Sequence, residues 1–237
     1  APAASLYTEE IRTIVIDPGH GGLYPGSRGR YGTLEKDVVL AVSLRLKEII
    51  ERTLAIRVVL TRTEDVDVPL ENRAAKANNE KADLFISIHA NSSFRRDARG
   101  SETFFLSQEA SDEEARRLAY LENNPAELEE GISGQNEDEI KMILWDMAQS
   151  AYLRQSSSLA ESIQSELNEL LRTRNRGIKQ APFKVLSGVA CPAVLVEVAF
   201  LSNPDEERRL LTADFQQRVA QEIYDGLVNY MKLNSQK

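Results

Sequence analysis

Short β-branched runs alternate along this chain with longer stretches of helical periodicity, and that alternation restricts it to a layered α/β fold. "RTIVIDPG" at 12–19 stops at a Pro-Gly turn. Residues 36–54 then carry Val38, Val39, Val42, Leu46, Ile49 and Ile50 at helical spacing, and Thr33 is placed to cap that helix. "IRVVLTR" (56–62) reads as the next strand and "LENRAAKANNEKA" (70–82) as a short helix, with "DLFISIHA" (83–90) and "ETFFLS" (102–107) as further strands. After an irregular acidic stretch come a long helix, a strand "FKVL" (183–186) and the apolar run "AVLVEVAFL" (193–201). The last helix opens at "SNPDEERRLL", with Asn203 as N-cap, Pro204 at the first helical position and Glu206 three beyond the cap. Residues 215–233 continue with Val219, Ile223, Leu227 and Tyr230 on one face. No internal repeat and no Pro-, Gly- or Ser-rich linker divides the chain. Residues 1–237 therefore read as a single domain, a mostly parallel twisted sheet flanked by helices.

Charge and composition narrow the function. The net charge is −8 with no Lys/Arg cluster, which argues against a nucleic-acid partner. No apolar run approaches the ~20 residues of a membrane span. The N-terminal "APAASLYTEE" lacks a basic region and an apolar core, so no signal peptide is expected in this chain. Cys191 is the one cysteine, which excludes an internal disulfide and a cysteine-rich metal site; beside a proline and an apolar run it reads as a small core residue.

The chemistry is concentrated at strand ends. The chain has two histidines, and both close an apolar run: His20 ends "TIVIDPGH" and His89 lies at the end of "DLFISIHA". In open α/β sheets, sites form beyond the carboxyl ends of the strands. Glu35 falls in the first turn of a helix, where the dipole favours a carboxylate, and alone it reads as helix-end stabilisation. Glu197 lies in the middle of "AVLVEVAFL", where an ionised carboxylate without a partner is costly; it is either paired with an arginine or catalytic. Either histidine alone reads as structural. Together, two strand-end histidines, an oddly buried glutamate and a glycine-rich turn suit a His/His/Glu metal site with an open fourth position, the donor set of a zinc hydrolase.

"IDPGHGG" followed by "EKD", then "SIHANS", then "VLVEVAFLSNPDEE" resembles the zinc-dependent N-acetylmuramoyl-L-alanine amidases of bacterial cell walls, over residues 11–232. The resemblance implies Zn2+ ligated by His20, Glu35 and His89, with Glu197 as the catalytic glutamate. It implies hydrolysis of the amide between the lactyl group of N-acetylmuramic acid and the first L-alanine of the peptidoglycan stem peptide, in the periplasm or cell envelope. Tyr24 departs from the family pattern, which often carries an acidic residue there; that position is not a metal ligand. A zinc carboxypeptidase acting on cell-wall peptides and a non-catalytic wall-binding module are the competing readings, because ligand type alone does not set specificity.

Residues 108–138 interrupt the alternation and are too long for an ordinary connection. Ser111 and Glu114 predict a capping box, and Ala115, Leu118, Ala119 and Glu122 then share one helical face. Glu122 is thus a carboxylate on an apolar stripe, at a place where the helix is about to end. In the cell-division subgroup of the amidases that this chain resembles, an inserted helix covers the active site and its glutamate takes the open zinc position. The resemblance assigns that role to Glu122 and makes 108–138 a regulatory insertion. It also implies a LytM-type activator protein that binds near 123–140 and displaces the helix.

Overall fold

The computed structural model describes residues 11–95, 97–124, 152–171 and 176–234. Residues 125–138 of the regulatory insertion and 125–140 of the expected activator-binding stretch lie outside them. Six strands, β1 (Thr13–Pro18), β2 (Arg57–Leu60), β3 (Leu84–Asn91), β4 (Glu102–Leu106), β5 (Ile178–Ala181) and β6 (Ala193–Phe200), form one sheet in the order β2-β1-β3-β6-β4-β5. Every pairing is parallel except β4 with β6. The helices are α1 (Glu35–Thr53), α2 (Leu70–Asn79), α3 (Glu113–Asn123), α4 (Leu153–Leu171), the single turn α5 (Lys184–Ser187), α6 (Pro204–Leu210) and α7 (Ala213–Asn234). Among the described residues no helix is long and apolar enough to cross a membrane.

Side chains alternate across the sheet, so each strand serves two cores. Ile14, Ile16, Leu84, Ile86, Ile88, Val194 and Val196 pack against Val42 and Leu46 of α1, Ile163 of α4 and Leu227 of α7. Val15, Phe85, Phe104, Ala193 and Leu195 face the other way, onto Ala74 of α2, Ala119 of α3 and Leu186 of α5. All eight residues of β3 and of β6 are buried, which explains their near-continuous apolar sequence. Towards the carboxyl ends of β1, β3 and β6 the second face turns polar, at Asp17, Ser87, His89 and Glu197. The site is built at that change.

Three local expectations need correction. The strand near residue 180 is Ile178–Ala181, not 183–186, and "FKVL" supplies the turn α5. "IKQA" looks polar because its Lys179 is an ion-pair partner on the polar face, whereas Val185 and Leu186 are apolar because that turn plugs the second core. Thr33 does not cap α1; the helix starts at Glu35, and loop carbonyls of Ser27 and Pro25 accept from the amides of Glu35 and Lys36 at 3.0 and 3.1 Å. Asp112, not Ser111, caps α3, its carboxylate accepting from Ala115 N at 2.7 Å, while Ser111 Oγ accepts from Gln180 N on β5. Asn203 caps α6 as expected, and Thr212 Oγ1 accepts from Phe215 N where the second C-terminal helix begins.

The end of β1 is held by two buried arginines. Arg73 Nη1 pairs with Asp17 Oδ1 at 2.9 Å and donates to Pro18 O at 2.8 Å, and its Nη2 donates to His20 O at 2.8 Å. Arg62 donates to Pro18 O through Nε and to Gly19 O through Nη2, at 3.0 and 2.7 Å. These carbonyls leave the sheet in a buried place and would otherwise lack partners. Burial and the neighbouring Arg73 lower Arg62 to about 10, which still leaves it charged at neutral pH. Burial opposes ionisation of Asp17, but Arg73, Thr61 and Ser87 outweigh it and hold its carboxyl below the ordinary 3.8.

The sign follows from that depression. Asp17 contributes stability that is present above pH 3.8 and is lost as the pH falls through its lower folded value. Arg73→Met is expected to cost about 3–5 kcal/mol at pH 7, because it strands a buried carboxylate. In urea titrations the gap from the unsubstituted protein should narrow below pH 3.8. A gap that stays constant to acid pH would show that the pair does not carry the effect.

Candidate functional site

Four side chains from four elements meet where β1 and β3 end. His20 follows β1 in a left-handed backbone conformation, with φ of 58°. That conformation is costly for a non-glycine residue, and the Arg73 bond to its carbonyl helps to keep it. His89 is set by β3, Glu35 by the first turn of α1, and Glu122 by the last turn of α3. One ligand atom from each lies within 4.8 Å of all the others. The imidazole rings stand edge to face with centroids 4.8 Å apart.

Both carboxylates are aimed at both histidines. Glu35 Oε1 is 3.1 Å from His20 Nε2 and 3.1 Å from His89 Nδ1. Glu122 Oε2 lies 3.3 and 3.2 Å from the same two atoms. Backbone amides orient Glu35, since Ser27 N donates to Oε2 at 2.8 Å and Ala90 N to Oε1 at 2.9 Å. His20 Nε2 nevertheless has no in-line hydrogen-bond acceptor although two oxygens are close. A nitrogen directed between two carboxylate oxygens, rather than along either, is the arrangement a shared cation would satisfy. Two imidazoles with carboxylates in a tetrahedral-sized cluster suit zinc.

The electrostatics agree with a site built for positive charge. Burial favours the neutral acid at Glu35, yet His20 and His89 outweigh it and hold its carboxyl well below the usual range. Burial likewise works against the imidazolium of His89, but Glu122 and Glu35 raise it well above an ordinary histidine.

Glu197 stands apart from this cluster. Its backbone pairs with His89 across β3 and β6 and with Glu102 across β6 and β4. It is 1% exposed, and neither carboxyl oxygen has a hydrogen-bond partner among the described residues. Burial pushes its pKa well above the usual carboxylate range; His89 opposes the rise, while Glu35, Glu122 and Glu102 add to it. The arginine partner that would make Glu197 structural is thus absent from the described residues, whereas Glu102 has one in Arg176.

The structure brings His20, Glu35, His89 and Glu122 together and leaves Glu197 on the neighbouring strand, in register with His89. Glu35 is buried against both histidines rather than standing exposed at a helix end. The structure also adds residues the sequence reading did not single out. Gly19 and Gly26 allow close approach, since a Cβ on Gly19 would strike the His89 ring and one on Gly26 would lie 2.5 Å from His20 Cδ2. Asp17, an acid inside an apolar strand, carried the same signal as Glu197. A small cleft of about 60 Å³, lined in part by Tyr24, Val68, Leu70 and Val185, opens beside His20, His89 and Glu122.

Known proteins share this arrangement's fold and sequence. The family of N-acetylmuramoyl-L-alanine amidases matches residues 14–229. N-acetylmuramoyl-L-alanine amidase AmiC of Escherichia coli O6:H1 is 39% identical over 217 residues, which are 92% of this chain and 52% of that protein. AmiA of Escherichia coli K12 is 37% identical over 220 residues, 92% of this chain and 76% of that protein. The chain therefore spans about half the length of the AmiC relative. The crystal structure of an N-acetylmuramoyl-L-alanine amidase from Clostridium difficile 630 superposes with a TM-score of 0.70 at 28% identity, covering 94% of this chain and 98% of that one.

Gly19→Ala tests how tightly the corner is packed. The added methyl must displace the His89 ring. Zinc affinity, read by competition with a chromophoric chelator, is expected to fall about 10–100-fold, the effect typical of disturbed ligand support. Circular dichroism should keep its native form. Unchanged zinc affinity would mean that the position of the His89 ring does not govern metal affinity.

Proposed function

The chain belongs to the N-acetylmuramoyl-L-alanine amidase family, and from that premise we propose that it is a zinc-dependent, autoinhibited peptidoglycan amidase. The reaction is hydrolysis of the amide between N-acetylmuramic acid and the L-alanine of the stem peptide, serving cell-wall remodelling and daughter-cell separation. The single observation that carries this reading is the convergence of His20, Glu35 and His89 with Glu122 within 4.8 Å, beside an unpartnered Glu197.

His20, Glu35 and His89 hold the ion on this reading. A zinc ion there supplies Lewis acidity, polarising the scissile carbonyl and acidifying water at neutral pH. Glu197 takes up a proton from the attacking water at its carboxyl oxygens and returns it to the departing amine nitrogen. A buried carboxyl group without hydrogen-bond partners among the described residues has its oxygens free for that proton. The Ser27 and Ala90 amides keep Glu35 oriented.

Glu122 closes the site. Ala115, Leu118 and Ala119 seat α3 on the second core, and Glu122 continues the same face to the histidines. Asn123 fixes the end of the helix, donating to Pro182 O at 2.8 Å and accepting from Lys184 N at 2.7 Å. With Oε2 at 3.3 and 3.2 Å from the two histidines, Glu122 would stand where a substrate carbonyl has to approach. Residues 108–138 are accordingly the regulatory insertion within a single catalytic domain, and opening requires a partner. A LytM-type activator acting near 123–140 is the expected one. The place of work is the periplasm or cell envelope, because that is where peptidoglycan lies.

Metal analysis of the purified protein should give about one zinc per chain, lost in His89→Ala. Zinc-free native protein, even after zinc is supplied, would remove the mechanism. Glu197→Gln should keep its zinc and lose about 10²–10⁴-fold in turnover. Glu122→Ala should release stem peptides from purified peptidoglycan faster than the unsubstituted chain. Equal or slower release would end the autoinhibition reading while leaving the amidase reading intact.

A further inference from the structure

A second charged cluster lies on the same face of the sheet as Glu197. Glu102 on β4 pairs in antiparallel register with Glu197 on β6, and its side chain is 1% exposed. Its Oε2 accepts from Asn91 Nδ2 at 3.0 Å. Its Oε1 accepts from Arg176 Nε at 2.5 Å and Lys179 Nζ at 2.9 Å. The two cations also reach the start of α3: Arg176 Nη2 is 2.7 Å from Glu114 Oε2, and Lys179 Nζ is 3.0 Å from Asp112 Oδ2. Among the described residues, then, one carboxylate belongs to the sheet and the other two belong to the helix that carries Glu122.

We propose that Arg176 and Lys179 form a subsite for a carboxylate of the substrate's stem peptide, occupied in the closed state by Glu114 and Asp112 of α3. The proposal rests on the amidase and autoinhibition readings above. When α3 leaves, Glu102 alone faces two part-buried cations, and the surplus positive charge requires an anion. The Arg176 fork, freed of Glu114, presents Nη2 in the geometry that carboxylates accept.

Spacing identifies which carboxylate. Glu114 and Glu122 are eight residues apart on one helix, or ~12 Å at 1.5 Å per residue. Crossing from β3 through β6 to β4 covers two strand spacings, ~10 Å. An extended peptide spans that distance in about three to four residues. With the scissile amide at the histidines, a carboxylate on the third or fourth stem residue reaches the cations. The helix thus covers both the ligand position and the anion position, as an extended acidic peptide would.

The test uses the full-length Glu122→Ala chain and soluble muramyl tetrapeptides. One substrate carries free carboxylates on the third and fourth residues, the other carries carboxamides, and a third ends after the first L-alanine. The acidic substrate is expected to show a KM about tenfold or more below that of the carboxamide, with kcat little changed. Adding Arg176→Gln should erase that preference and leave the truncated substrate unaffected. Equal KM values for acid and carboxamide would overturn the subsite without any dependence on how the Arg176 variant folds. An Arg176→Gln change that raises turnover of all three substrates alike would reduce the cluster to a latch on α3. No cleavage of any substrate would instead overturn the amidase reading, and the subsite with it.

Discussion

The carbonyl groups at the end of β1 impose the constraint on which the rest depends. Pro18, Gly19 and His20 leave the sheet inside the protein, where bare carbonyls are expensive. Arg62 and Arg73 satisfy them and are themselves balanced in part by Asp17, whose carboxylate also accepts from Thr61 and Ser87. The guanidinium forks turn a strand end into a rigid ledge. That ledge fixes His20 in a left-handed conformation and brings it against His89 with only Gly19 between the two strands' ends.

From this ledge the polar chemistry runs sideways across one face of the sheet. His89, Glu197 and Glu102 follow one another in register on β3, β6 and β4, and Lys179 of β5, in register with Phe104, reaches Glu102 through its side chain. The charges alternate in role: histidines with Glu35 and Glu122, a Glu197 with no partner among the described residues, then Glu102 between two cations. Among the described residues Glu197 thus has no cation hydrogen-bonded to it, while its neighbour Glu102 takes two. Helix α3 lies along this row and places acids at both ends of it. The opposite face is mainly apolar, with Thr103 bonded to Gln164 of α4 as a polar exception, and it packs under α1, α4 and α7.

Much of this was legible in the residues, for reasons that differ from one position to another. His20 and His89 could be found because strand ends are marked by Pro, Gly and the close of an apolar run. Glu197 could be found because a charge inside such a run contradicts its surroundings. Glu122 could be found because helical periodicity puts it on the stripe of Ala115, Leu118 and Ala119. Glu35 could be located but not interpreted, since its helix-end position has a sufficient local explanation. The misplacements were also local. Thr33 and Ser111 have the right chemistry for caps, but loop carbonyls and Asp112 supply those bonds instead. "IKQA" hides a strand because its Lys179 answers to Glu102, 77 positions away in the chain.

What the sequence determined by itself was periodicity and discord: which segments alternate at two or at 3.6 residues, and which polar side chains sit where their segment is apolar. Those are properties of neighbours in the chain, and they suffice for the α/β class, the strand ends and the candidate acids and bases. Tertiary structure alone decided which of those groups share a charge. That Glu35 faces both histidines, that Arg73 serves Asp17, and that Arg176 and Lys179 divide themselves between Glu102 and α3 depend on strand order and register. Electrostatic energy falls off with distance in space rather than along the chain, so pairings of that kind become visible once the sheet is assembled.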